Sequence, residues 1–140
     1  MKKILFIVTL LFVFVVSAQD STEVKAQTPK IISKLMFGKT IAVDNLEFKF
    51  VTLESDSRCP KGVQCVRAGE AIVLIDVFKN GTKIEQKRLI FSPNAQLQNS
   101  LGNLFSSKKI KVTGFNIAPY PEYRNKIKPK DYFIQLDIRE

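Results

Sequence analysis

From about residue 31 the chain alternates apolar and polar positions with a period of two, the pattern of strands with one buried face. Ile41 and Val43 alternate, Asp44-Asn45 offers a tight turn, and Leu46, Phe48 and Phe50 alternate again, which predicts a hairpin. Residues 54–66 read as a turn-rich connection, bent at Pro60 and Gly62. Ala71-Ile72-Val73-Leu74-Ile75 is apolar at every position and predicts a central strand covered on both faces. That strand runs on to Phe78 and meets Asn80-Gly81, residues suited to the two positive φ angles of a type I′ turn. The return strand, about residues 83–91, carries Glu85, Gln86, Lys87 and Arg88 and so has a wet side; Ser92-Pro93 ends it.

Over residues 94–105 the period changes. Leu97, Leu101 and Leu104 stand at i, i+4 and i+7, the spacing of a short amphipathic helix, although Gly102 works against it. Residues 109–118 return to the strand pattern with a slip: Ile110 and Val112 face one way, and Phe115 and Ile117 fall out of step. A β-bulge at Gly114 would bring all four to one face. In the last strand Tyr132, Ile134, Leu136 and Ile138 form an apolar stripe against Phe133, Gln135, Asp137 and Arg139. The expected fold is all-β: a single small antiparallel sandwich or barrel of about six or seven strands, spanning residues 31–140.

The first 30 residues stand apart. Lys2 and Lys3 precede an apolar run, residues 4–16, and Val16-Ser17-Ala18 supplies a cleavage site, so residues 1–18 read as a secretory signal peptide. The run is short against the roughly 20 residues a spanning helix needs, and no second run follows, so no membrane span is expected. Residues 19–30 are polar and read as a flexible leader. Cleavage would remove two lysines and no acids, so the formal charge of +9 becomes +7 in the mature protein. The expected location is therefore outside the cytoplasm, periplasmic or secreted. Cys59 and Cys65, six positions apart in an exported chain, read first as a local disulfide. With no histidine in the sequence, the two thiolates have no imidazole to complete a zinc site, and neither a metal nor a cofactor is expected.

The segment Asp56-Ser57-Arg58-Cys59-Pro60-Lys61-Gly62-Val63-Gln64-Cys65-Val66-Arg67-Ala68-Gly69-Glu70-Ala71 resembles a signature of small exported bacterial proteins, mostly uncharacterised, of the form D-S-R-C-P-x-x-V-x-C-x-x-A-G-x-A. Such proteins tend to close with a Pro-Tyr-Pro turn, an Asp-Tyr pair and a last strand, here Pro119-Tyr120-Pro121 and Asp131-Tyr132. Arg67 departs from the pattern, which usually has an aromatic there. The resemblance implies export and a domain over about residues 35–140; it implies no activity.

Three features are candidates for function. The disulfide loop either braces the fold, with Arg58 paired to Asp56 or Glu70, or presents Arg58, Lys61, Gln64 and Arg67 rigidly to a partner. Tyr120 and Tyr123, flanked by Pro119 and Pro121, either cover the end of the core or stack on a sugar or peptide. The lysines and arginines, Lys83, Lys87, Arg88, Lys108, Lys109, Lys111, Arg124, Lys126, Lys128 and Lys130 among them, either solvate the surface or draw an anionic partner. Aromatics do not interleave with them in a stacking pattern, which argues against nucleic acid. Catalysis is not expected: Glu54, Asp56 and Glu70 are the nearest carboxylate cluster, and Arg58 sits among them. The leading expectation is an exported non-catalytic domain that binds a protein or an anionic envelope component. The alternative is a serine protease inhibitor offering a basic side chain on the disulfide-closed loop.

Overall fold

A computed structural model describes residues 31–93 and 102–139. The signal peptide, the leader and most of the helix expected over residues 94–105 lie outside the described residues. Eight strands follow in order: β1 (Ile31–Met36), β2 (Thr40–Val43), β3 (Leu46–Asp56), β4 (Ala71–Lys79), β5 (Thr82–Phe91), β6 (Asn103–Ser106), β7 (Lys111–Ala118) and β8 (Phe133–Arg139). They form two four-stranded sheets, β1-β8-β7-β6 and β2-β3-β4-β5, with every pairing antiparallel.

The expected hairpins are present because their turns have the right residues. Asp44 takes φ 55° between β2 and β3, and Asn80 and Gly81 take 51° and 77° between β4 and β5, the two positive angles of a type I′ turn. Each strand then sends its alternate apolar residues inward. Phe48 and Phe50 from β3, Val73, Ile75 and Val77 from β4, and Leu89 from β5 meet Leu35 from β1, Val112 and Ile117 from β7, and Ile134 and Leu136 from β8. The stripe read in the last strand is the one buried, and Tyr132 joins it at its start.

Three expectations need correction. Leu104 is buried in strand β6, not in a helix: residues 103–106 pair with β7, and a register shift between Asn103 and Phe105 lets Leu104 turn inward. The bulge in β7 lies between Gly114 and Asn116, as the slip in pattern required, but only Ile117 is brought back to the core. Phe115 is left 37% exposed. Gly114 itself carries the inward position, because a Cβ there would stand 2.8 Å from Leu89 Cδ1 on the opposite sheet. Finally, β4 has one core face, not two. On its other face Ile72 is buried but Leu74, Asp76 and Phe78 are only half-buried, and Lys83 and Gln86 of β5 reach across to the Asp76 carboxylate at 2.7 Å each.

Candidate functional site

At one end of the sandwich the β3–β4 ladder continues past the strands. The Ser57 amide donates to Glu70 O (2.8 Å) and the Cys59 amide to Ala68 O (2.8 Å). The Ser57 hydroxyl also donates to Glu70 O (3.0 Å) and accepts from the Glu70 amide (3.1 Å). Gly69, at φ 69°, is required there: a Cβ would stand 1.8 Å from Ser57 O. Beyond these rungs the chain opens into a loop closed by the Cys59–Cys65 disulfide, with its Cα atoms 5.9 Å apart.

Arg58 points inward from the base of that loop and is only 7% exposed. Its Nε and Nη2 hold the two Asp56 carboxylate oxygens in a fork, at 2.8 and 2.7 Å. Nη1 donates to Ile117 O (2.7 Å) and Nη2 also to Pro119 O (2.9 Å), at the far end of β7. Tyr132, just before β8, completes the group by donating its hydroxyl to Asp56 Oδ2 (2.8 Å). One guanidinium therefore ties the end of the second sheet to the first. Burial on its own would raise the Asp56 pKa; the hydrogen bonds from Arg58 and Tyr132 and the guanidinium charge outweigh it and hold the carboxyl below its ordinary value. Tyr132 moves the other way, to about 12, through burial and then its bond to the Asp56 carboxylate.

The same end carries the connection from β7 to β8, residues 119–132. It is zipped to the disulfide loop by its main chain: the Lys61 amide donates to Pro121 O (2.9 Å), and the Tyr123 amide donates to Lys61 O (3.2 Å). Tyr120 lies with its ring centroid 5.1 Å from Arg58 Cζ and 6.0 Å from Lys61 Nζ; Arg124 Cζ lies 5.1 Å from the Tyr123 ring. The two segments that carry the sequence resemblance thus meet, through Asp56, Arg58, Pro119 and Tyr132.

Of the candidate residues, Lys61, Tyr120 and Tyr123 come together on this double loop, with Tyr120 42% and Tyr123 58% exposed. Gln64 and Arg67 are exposed on the disulfide side, Arg67 beside Ala68 and Pro93. Arg58 is not a presented residue. Four of its five N–H donors go to one carboxylate and two carbonyls, so it frames the surface from within. The carboxylate cluster also dissolves: Glu54 binds Arg88 at 2.6 Å while Asp56 binds Arg58. Sequence reading passed over Val66, the most exposed apolar side chain of the described residues, and Val63 beside it; the signal was two valines in an otherwise polar, turn-rich loop. It also passed over a cleft of about 510 Å³ that opens beside Arg58 and Tyr120, where Phe91 at the end of β5 and Pro93 after it face Phe115 and Asn116 of the bulge.

No helix among the described residues is long and apolar enough to cross a membrane. No protein-family model, curated protein or solved structure matches the chain.

Proposed function

We propose that the protein is an exported, non-catalytic binding domain whose working surface is the double loop, residues 57–70 and 119–131, and whose partner is an anionic component outside the cytoplasm. Export is supported by the basic and apolar start of the sequence and by the disulfide. The reading is non-catalytic because the sequence offers no imidazole, and Glu54 and Asp56, two of the three clustered carboxylates, are each held by a guanidinium group.

One observation carries the choice of partner. The cations of β5 face acids: Lys83 pairs with Asp76, Lys87 with Glu85 and Arg88 with Glu54. Among the described residues, Lys61, Arg67, Arg124, Lys126, Lys128 and Lys130 on the double loop form no ion pair, and all six are exposed. The six outnumber the loops' three acids, Glu70, Glu122 and Asp131, and an excess of positive charge attracts anions over about a Debye length. The inhibitor reading fares worse. A basic residue offered to a protease needs free, extended main chain to pair with the enzyme, whereas both main-chain groups of Lys61 are bonded to the neighbouring loop and Arg58 is internal.

The test compares equal losses of charge. Retention of the mature protein on heparin, eluted with salt, should fall sharply for the triple variant Arg124→Ser, Lys126→Ser, Lys128→Ser. The triple variant Lys83→Ser, Lys87→Ser, Arg88→Ser should move the elution much less. Equal shifts would mean that only net charge matters and would remove the double loop as the site.

A further inference from the structure

We infer that the anionic partner is the surface of a lipid bilayer, and that the disulfide-closed loop docks on it by placing Val63 and Val66 at the boundary between headgroups and acyl chains. The inference rests on the binding surface proposed above and names what meets it.

The first ground is apolar exposure that the fold maintains. Val66 is 103% exposed, so no other side chain covers it, and Val63 is 39% exposed three residues away. A single exposed valine needs no explanation. Here, however, four of the nine exposed large apolar and aromatic side chains among the described residues, Val63, Val66, Tyr120 and Tyr123, sit on this pair of loops. Val63 cannot easily fold back under cover, because the disulfide closes the ring that holds it and two main-chain hydrogen bonds fasten Lys61 to residues 121–123; Val66 directly follows the second cysteine of that ring.

The second ground is the company these residues keep. Lys61 and Arg67 flank the valines within one short loop, and Arg124, Lys126 and Lys128 follow on the neighbouring one. Basic residues near an anionic leaflet are drawn to it, while tyrosine rings settle where an apolar body and a polar hydroxyl both find their medium. A polysaccharide would use the charges and the rings but offers nothing to projecting aliphatic side chains. A bilayer uses all three, taking apolar groups to a depth of about 5–10 Å.

The sequence contains no tryptophan, so Val66→Trp supplies a single fluorescent reporter at the docking point. Ile84→Trp, on the exposed face of β5 away from the double loop, is its control. On adding vesicles of equal parts phosphatidylglycerol and phosphatidylcholine, emission from Val66→Trp should shift to the blue and become shielded from an aqueous quencher. Pure phosphatidylcholine should leave it unchanged, and Ile84→Trp should respond to neither. In vesicle sedimentation, Val66→Ser should bind about tenfold more weakly than the unaltered protein, the loss expected when most of one valine's burial is removed. Its retention on heparin should stay the same. The Val66 side chain is fully exposed, so neither change should disturb folding. The inference is overturned if Val66→Trp emission ignores anionic vesicles, or if Val66→Ser sediments with them as the unaltered protein does. In either case, intact heparin retention would leave an anionic polymer as the partner and the binding surface standing. Loss of heparin retention in the unaltered protein as well would take down both readings.

Discussion

Strand β4 is joined to its two neighbours in sheet order by two very different connections. Toward β5 it uses Asn80 and Gly81 alone, both at positive φ, with open space around Gly81. Toward β3 the chain runs through residues 57–70, and almost nothing about its path is local. Gly69 is needed because Ser57 O lies in the way, Arg58 is fixed by the carbonyls of Ile117 in β7 and Pro119 just after it, and Lys61 is fastened to residues 121–123. The first connection is decided by two residues' own preferences; the second is decided by what it touches. A connection of the first kind turns a chain, and one of the second kind holds side chains at fixed places on a surface, which a binding site requires.

The comparison breaks most visibly at Arg58. Arg58→Ala should cost about 3–5 kcal/mol, because it leaves the Asp56 carboxylate buried without its counter-charge and removes the donors to Ile117 O and Pro119 O. Asn80→Ala, at the other connection, should cost about 1–2 kcal/mol, the penalty of a left-handed backbone in an ordinary residue. Urea denaturation of the two variants measures the contrast. A loss under about 1 kcal/mol for Arg58→Ala would put the two connections on the same footing.

A sharper version keeps the residue type constant. Gly69 and Gly81 have similar φ, 69° and 77°, so the backbone penalty of alanine is shared. Their surroundings differ: a Cβ at Gly81 meets nothing within 4 Å, and one at Gly69 stands 1.8 Å from Ser57 O. Gly81→Ala should therefore cost about 1–2 kcal/mol, and Gly69→Ala about 3 kcal/mol with loss of the Ser57–Glu70 pairing. Protection of the Ser57 amide from hydrogen exchange reads that pairing directly. Equal costs for the two alanines would show that the close approach at Gly69 is relieved by a small backbone shift.

What the sequence disclosed follows the same division. The β4–β5 turn and the stripe Tyr132, Ile134, Leu136, Ile138 were legible because period and turn chemistry are local properties. Strand β6 was not: one inward Leu104 beside a register shift gives no period, and the nearby leucines suggested a different one. The bulge in β7 was legible as a slip in pattern. The exposure of Phe115 was not, because it depends on Gly114 meeting Leu89 on the other sheet. In the candidate site, the disulfide and an Arg58–Asp56 pairing could be read from neighbours in sequence. The contact from Tyr132 to Asp56 spans 76 positions and leaves no local trace.

That long-range contact carries a small expected effect and the most specific signature. Tyr132→Phe keeps the buried ring and removes only the hydroxyl that donates to Asp56 Oδ2 at 2.8 Å, a loss of about 1.5 kcal/mol for a hydrogen bond to a charged acceptor. The pH dependence then reports the burial of the hydroxyl together with that bond. In the folded protein the Tyr132 pKa is raised from 10.0 to about 12, so the folded state holds the phenolic proton more tightly than the unfolded chain does. The stabilisation is complete below pH 10 and is lost as pH rises through the folded value near 12. The unaltered protein should therefore lose more stability than Tyr132→Phe between pH 10 and 12, and the gap between them should narrow across that interval. Other effects of pH on the fold act on both proteins alike and cancel in the difference. Denaturation midpoints that fall in parallel from pH 9 to 12 would show that the hydroxyl is not bonded to the carboxylate in solution, and that Arg58 alone ties Asp56 into the site.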